Sequence, residues 1–175
     1  NRIKVIPHGL IDISSHLKQG LAPEEIIQSH LQKRDPAIPN LDYVLSYPWK
    51  EGRFILYTSQ YRYHKNIKLL LKTVAKLIHE EYHDLKLVLT CANYLSLLDD
   101  IKDLNLSRDV IILPSIPESV LAALNALAVL HVNPSLFEGA FPFTFGEAYS
   151  VGTPSVMADI PVTREIVHPD EAEYM

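Results

Sequence analysis

Two short stretches of this sequence combine residue types that could bind a phosphorylated ligand. The first, residues 59–66, places Arg62 and Lys65 directly before a predicted helix. Two cations beside the exposed amides of a helix start suit a phosphate or a diphosphate. A solvated basic turn would have the same composition, so the sequence alone leaves both interpretations open.

The second stretch, residues 133–148, places Glu138 and Glu147 among glycines and phenylalanines. Large rings in a solvent loop would need cover, which favours rings packed beneath a binding site. Glycine lets backbone amides approach a ligand, and carboxylates at the carboxyl edge of a sheet suit paired sugar hydroxyls. The alternative is that both carboxylates only cap amides of a tight loop.

Two further patterns are typical of structural residues rather than of a metal site or a catalytic nucleophile. His79 and His83 fit the H-E-x-x-H spacing of zinc sites. They are predicted to share a basic, solvated helix stripe with Lys72 and Lys76, so we expect no metal there. Cys91 ends a predicted strand, where a lone cysteine is typical of a small core residue rather than a nucleophile.

Composition is typical of a soluble globular protein of one domain. The chain has 175 residues, of which 47% are hydrophobic and 21% charged. The net charge of -5 argues against a nucleic-acid partner, which requires a concentrated basic face. The longest apolar run, residues 120–132, is shorter than the roughly 20 residues that a membrane span needs. We therefore expect no transmembrane segment. A single cysteine and the lack of a charged-then-apolar opening segment lead us to expect a cytoplasmic protein.

Alternating strand-like and helix-like segments predict a parallel α/β sheet. The predicted strands are residues 54–58, 85–90, 110–113, 129–132 and 155–157. The predicted helices are residues 65–82, 94–104, 117–128, one centred on 146–151, and 162–167. Nearly continuous apolar strands indicate helices on both faces. Ligands bind beyond the carboxyl ends of such strands, where both candidate stretches lie.

Residues 1–50 are predicted to hold an opening strand (3–7), a helix (21–32) and a proline-containing linker (35–48). Residues 51–175 are predicted to form the ligand-binding domain. Because the chain starts with Asn1 and runs at once into apolar residues, we expect it to be a piece of a longer polypeptide.

Several segments resemble retaining glycosyltransferases of family 4, specifically the carboxyl-terminal, donor-binding domain of their two-domain GT-B architecture. The matching segments keep the family's order along the chain: Val5-Ile6-Pro7-His8-Gly9, Lys65-Asn66, Pro134-Ser135-Leu136-Phe137-Glu138-Gly139, Glu147-Ala148, Gly152-Thr153-Pro154 and Arg164-Glu165-Ile166-Val167. The resemblance implies a Rossmann-like parallel sheet with helices on both faces, as one half of a GT-B fold. It also implies that the chain stops before the family's final helices.

The resemblance assigns roles to individual residues. Glu138, Lys65 and Arg62 would be catalytic, with Glu138 at the donor sugar and the two cations stabilising charge on the departing nucleoside diphosphate. Glu147 would bind the ribose hydroxyls. The other donor-binding positions would be Ser59, Gln60, Ser115 and Ile116, the last two beside the nucleobase, and Gly139, Ala140, Phe141, Pro142, Phe143 and Thr144.

The chain departs from the family pattern in three places. Eight residues lie between Glu138 and Glu147, one more than the family's usual spacing. Gln60 stands where the family has an arginine, and residues 91–93 stand where it often has a glycine-containing turn. These differences keep a non-catalytic binding module open as an alternative.

The predicted function is binding of a nucleotide diphosphate sugar for retaining transfer to an acceptor held by an amino-terminal domain. The acceptor would be a glycan, a lipid or another molecule, and the full-length protein could be peripheral at a membrane. No metal or other cofactor is expected, and the isolated domain would not transfer sugar. A sugar-nucleotide epimerase with the GT-B fold is a second alternative; base, sugar and linkage stay open.

Overall fold

The computed structural model describes residues 9–17, 20–165 and 167, and one parallel sheet organises them. The strands are β1 (Phe54–Tyr57), β2 (Lys86–Leu89), β3 (Val110–Ile112), β4 (Leu130–Asn133) and β5 (Ser155–Met157). The α-helices are α1 (Pro23–Leu31), α2 (Leu41–Ser46), α3 (Ile67–Glu80), α4 (Leu98–Asp103), α5 (Glu118–Leu127), α6 (Phe143–Ser150) and α7 (Pro161–Arg164). Short 3-10 helices span Ser14–Leu17, Tyr63–Lys65 and Tyr94–Leu97.

The strand order is β3-β2-β1-β4-β5, and every pairing is parallel. All carboxyl ends therefore lie at one edge of the sheet. The five predicted strands are confirmed to within two residues at each end. No described helix has the length and apolar character needed to cross a bilayer.

Side chains of the central strand alternate between two hydrophobic clusters, one on each face of the sheet. Ile55 and Tyr57 pack with buried residues of α3 and α4. Phe54 and Leu56 pack with buried residues of α1, α2 and α5. Because successive strand side chains point to opposite faces, an all-apolar strand requires helices on both sides. The predicted Rossmann-like α/β fold is thereby confirmed.

Helix α3 is amphipathic, and its end changes one prediction. Buried positions recur every three or four residues along it, at Ile67, Leu70, Leu71, Val74, Ala75 and Ile78. The helix stops at Glu80, so His83 lies beyond it and does not share a helix stripe with His79. The ring of His83 instead hydrogen-bonds the Ile78 carbonyl at 2.6 Å. The described part of the chain holds no group of three or more metal-ligating side chains.

The predicted linker at residues 35–48 is wrong, because it contains α2. Prolines flank this segment but leave six residues free to form a helix. The helix and the residues after it bury Val44, Tyr47 and Trp49 in the same cluster as Phe54. The Trp49 ring meets Tyr47 and Phe54 edge-on, at 4.9 and 5.7 Å between centroids.

The ends of the chain and the last two helices compare with their predictions as follows in the described residues. The predicted strand at residues 3–7 and the Val5-Ile6-Pro7-His8 part of the first family segment lie outside the described residues. Helix α7 is shorter than the predicted 162–167, since it ends at Arg164. Helix α6 runs from Phe143 to Ser150 and overlaps the predicted centre at 146–151.

Candidate functional site

Both candidate stretches meet at the carboxyl edge of the sheet. Strands β1 and β4 are direct neighbours, so the loops that follow them run side by side. The Leu136 amide donates to the His64 carbonyl at 2.8 Å. The rings of His64 and Phe137 stack with centroids 4.8 Å apart. The fold thus joins residues 59–66, the basic turn, to residues 133–148, the glutamate loop.

An ion pair links the two most important predicted residues. The Lys65 ammonium donates to Glu138 Oε1 at 2.5 Å, and the two side chains are only 17% and 12% exposed. Such a pair is shielded from solvent, and losing one partner leaves the other charge uncompensated in a poorly solvated place. A cation suited to phosphate and a carboxylate suited to sugar hydroxyls therefore share one point of this edge.

The rest of the basic turn is more open. Arg62 and Gln60 are exposed and Ser59 is half-buried. Within the described residues, Arg62 forms no ion pair. The cations were expected beside the first amides of α3, but the 3-10 turn Tyr63–Lys65 and Asn66 intervene. Asn66 has φ 55°, a left-handed conformation that interrupts the helix before Ile67.

Glu147 lies in the second turn of α6, four residues after the helix starts at Phe143. Pro142 precedes the helix with φ -62°, a value suited to a helix start. Phe145 then packs edge-on against Phe141, with centroids 5.1 Å apart, which holds the first turn in place. Burial raises the pKa of the half-buried Glu147 carboxyl, and the negative charge of Glu118 raises it further.

The phenylalanines only partly fulfil the expectation that they pack beneath a site. Phe141 is buried, but Phe137 and Phe143 are 62% and 50% exposed. A Cβ added to Gly139 would meet no protein atom within 4 Å, and Ala140 is exposed. The loop backbone is therefore open on its outer side, where a ligand could approach it.

A buried asparagine, not singled out by sequence reasoning, fixes both ends of this loop. Asn133 Oδ1 accepts hydrogen bonds from the Ser135 hydroxyl at 2.7 Å and the Ser135 amide at 3.4 Å. Its Nδ2 donates to Thr144 Oγ1 at 3.3 Å. The only signal in the sequence is a pair of short polar residues directly after an apolar strand.

We expect Asn133→Ala to destabilise the domain by about 1–3 kcal/mol, because the buried Ser135 hydroxyl loses its acceptor. Amide exchange in residues 135–144 should accelerate as well. Thermal denaturation and hydrogen–deuterium exchange measure both effects. Ser96→Ala, which removes an exposed hydroxyl bond to Asn93, is the control. Unchanged stability and unchanged exchange in Asn133→Ala would contradict this role.

A second missed contact lies beneath the basic turn. His131 Nε2 lies 3.0 Å from Thr58 Oγ1. Burial lowers the pKa of His131 to about 4, so the imidazole is neutral at neutral pH. This neutral contact ties β4 to the residue at which the chain leaves β1.

The remaining predicted residues are farther from the ion pair. Ser115 and Ile116 follow β3, two strands from β1, or about 10 Å at about 4.8 Å per strand. Ser115 is exposed with φ 57°, and Ile116 is half-buried against the second cluster. Cys91 is buried, and burial raises the pKa of its thiol, which suits the predicted core role.

A cleft of about 320 Å³ adjoins the ion pair. The loop after β4 forms one wall, and the start of α7 forms the other. Its lining residues are Phe137, Glu138, Gly139, Ile160, Pro161, Val162 and Glu165. The Glu138 carboxylate thus lies between the basic turn and a concave surface of a size suited to a small polar group.

Three solved structures with similar folds cover most of this chain. A glycosyltransferase from Rickettsia africae ESF-5 matches with TM-score 0.68 and 16% identity over 92% of this chain and 39% of its own. Anabaena Alr3699/HepE in complex with UDP-glucose matches with TM-score 0.64 and 19% identity over 91% of this chain and 39% of its own. Sucrose-phosphate synthase from Thermosynechococcus elongatus matches with TM-score 0.59 and 20% identity over 87% of this chain and 36% of its own. The chain therefore spans about two fifths or less of each.

Sequence comparison identifies the family. No curated protein sequence gives a significant match to the chain. The family described as "Glycosyl transferases group 1" matches residues 46–175, which include all five strands, the basic turn and the glutamate loop. The similar structures support the same Rossmann-like α/β fold. The chain belongs to the glycosyl transferases group 1 family.

Proposed function

We propose that this domain binds a nucleotide diphosphate sugar and supports retaining transfer of the sugar to an acceptor. It would act as the carboxyl-terminal donor domain of a family 4 glycosyltransferase. The observation that carries the proposal is the shielded contact between Lys65 and Glu138 at the carboxyl edge. In open α/β sheets this edge is where ligands bind.

Donor binding would replace the ion pair with two separate contacts. The diphosphate oxygens take the Lys65 ammonium, which releases Glu138 toward the hydroxyls of the sugar. Arg62 brings a second cation, since its exposed side chain can turn toward the phosphates. As the bond between sugar and diphosphate breaks, negative charge grows on the departing nucleotide. The fixed ammonium stabilises that charge most effectively in a cleft from which water is excluded.

The remaining contacts are those that the resemblance to family 4 glycosyltransferases implies. Backbone N–H groups of residues 139–141, 143 and 144 would contact the diphosphate and sugar, with Pro142 shaping the loop, and Ser59 and Gln60 would border the phosphates. Glu147 binds the ribose hydroxyls. Ser115 and Ile116 contact the base from the end of β3. No metal and no other cofactor belong to this proposal.

The acceptor site would lie on another part of a longer protein, in an amino-terminal domain. This proposal fits the share of the similar structures that the chain spans, about two fifths or less. The chain alone is expected to bind donor without transferring sugar. Turnover by this 175-residue chain with a simple acceptor would contradict that division of roles.

Thermal denaturation with UDP-, GDP- and ADP-sugars tests the proposed function. A bound donor at 100 times its dissociation constant should stabilise the domain by about 2.7 kcal/mol. Stabilisation by one nucleotide series, and not by the free sugar, is the expected result. If none of the three series stabilises the domain, the donor role is wrong. Donor binding without transfer by the longer protein would instead indicate a non-catalytic module.

A further inference from the structure

A second and larger cavity, of about 620 Å³, opens away from the donor edge. It lies between the end of α1, the start of α2 and the turn before β3. The residues that matter here are Arg34, Asn40, Asp42, Tyr43, Ser107 and Arg108. Because Arg108 precedes β3, the cavity is at the amino edge of the sheet. The strands are three to four residues long, which is about 10–13 Å at about 3.3 Å per residue. This length of strand separates the cavity from the Lys65–Glu138 pair.

The cavity is locally positive on an acidic chain, whose net charge is -5. Arg34 Nη2 donates to Asp42 Oδ1 at 2.9 Å, but these side chains are 63% and 89% exposed. A pair this exposed is screened by water and holds its partners weakly. It also engages only part of the guanidinium, which has five N–H donors. In the described residues, Arg108 forms no ion pair.

The nearest acidic neighbour of Arg108 in sequence does not cancel its charge. Asp109 accepts a hydrogen bond from the Lys86 ammonium at 2.5 Å, and both side chains are largely buried. The two arginines of the cavity lining are therefore accompanied by a single carboxylate, Asp42, which is weakly held. The planar fork of arginine matches the oxygens of a phosphate, and the nearby Ser107 hydroxyl and Asn40 amide can add donors.

The backbone around the cavity is unusual. Arg34 and Asn40 have φ of 54° and 52°, and Asn105, two residues before Ser107, has φ of 55°. Arg34 follows the end of α1, a position where glycine is common because it adopts this conformation without strain. Glycine would adopt this conformation with less steric strain, so an arginine at position 34 lowers local stability and provides a side chain in return. Strained positions of this kind cluster at functional sites.

The cavity walls are also tied together. The Tyr43 hydroxyl donates to the Arg108 carbonyl at 3.3 Å, which links α2 to the turn before β3. Tyr43 is the single exposed large hydrophobic residue among the described residues that line the cavity. One ring provides a wall for a small molecule but does not provide an apolar surface for a membrane.

We propose that this cavity binds a soluble, phosphate-bearing small molecule. Arg34 and Arg108 would bind the phosphate, with Tyr43 against the remainder of the ligand. The site shares no residue with the donor site and does not depend on the proposed function. It would couple ligand binding to the position of α2, because Tyr43 is part of that helix.

A titration of the chain with inorganic phosphate tests this proposal. The titration is monitored by amide NMR at constant ionic strength. We expect saturable shifts at Asn40, Tyr43 and Ser107. Arg108→Gln and Arg34→Gly should each weaken binding by about tenfold or more, the scale of one charged hydrogen bond. Lys33→Gln, which removes an exposed cation outside the cavity lining, should change the affinity less than twofold, about 0.4 kcal/mol.

Two features keep the test decisive. Arg34→Gly should retain or raise thermal stability, since glycine suits the left-handed backbone, so its loss of binding cannot be attributed to unfolding. Shifts that do not saturate, or that saturate only at residues 59–66 and 135–144, would overturn the proposal. Equal phosphate affinity in the wild type and the two arginine variants would overturn it as well.

Discussion

Lys65→Ala will weaken nucleoside diphosphate binding by about 1.5–3 kcal/mol, from about tenfold to more than a hundredfold. The ammonium is positioned by its 2.5 Å contact with Glu138 and is largely hidden from solvent. A phosphate that takes over this cation therefore gains a charge-assisted hydrogen bond without ordering a mobile side chain. Calorimetric titration with a nucleoside diphosphate measures the loss directly.

Lys72→Ala is the matched control for this change. Lys72 lies on the exposed side of α3, whereas Lys65 ends the basic turn that precedes this helix. The two substitutions change the net charge equally, so any long-range charge effect is common to both. Equal losses of affinity in the two variants would show that the phosphate site lies elsewhere.

Glu147→Gln will weaken the nucleoside diphosphate and its sugar conjugate alike, by about 1.5–3 kcal/mol. Its carboxylate is assigned to the ribose, which both ligands contain. In the free protein the same change should be stabilising near neutral pH. Burial and Glu118 raise the pKa of Glu147 in the folded state, so its ionisation opposes folding.

The sign of this effect gives a pH test. A raised folded-state pKa means that stability falls as pH rises from the ordinary glutamate range through the raised pKa. Glu147→Gln removes that loss, so the variant and the wild type should agree at acidic pH and diverge toward neutral pH. Thermal denaturation across this range measures the difference. A variant that is less stable than the wild type at neutral pH would indicate a capping role for this carboxylate.

Glu138→Ala should behave differently from the Glu147 variant. Removing this carboxylate removes the internal partner of Lys65, so the bare nucleotide should bind at least as tightly as before. The intact donor should bind more weakly, because its sugar loses a contact. If both ligands lose affinity in the same proportion in both glutamate variants, the assigned roles are wrong.

The sequence predicted the sheet well because strands buried on both faces leave a clear apolar pattern. Residues 54–58 and 85–90 are such runs, and they correspond to β1 and β2. The same reasoning failed at α2, where flanking prolines suggested a linker. The helix is instead followed by Tyr47 and Trp49, whose burial depends on tertiary contacts that a local pattern does not contain.

The site was predictable to the level of which loops meet. Parallel strands place their carboxyl ends at one edge, which brings Lys65 near Glu138 once β1 and β4 are neighbours. The pairing of the two side chains and the three hydrogen bonds of Asn133 depend on atomic geometry. The cavity at Arg34 and Arg108 was missed because its residues are far apart in sequence.

Hydrogen–deuterium exchange of the domain, with and without a saturating nucleoside diphosphate, tests the donor site most directly. The predicted result is slower exchange in residues 59–66 and 135–147; additional protection of residues 34–43 and 105–109 would report the proposed phosphate cavity and leaves this assignment intact. Protection confined to the second pair of segments, or no protection in the basic turn and the glutamate loop, would contradict the assignment of the carboxyl edge as the donor site.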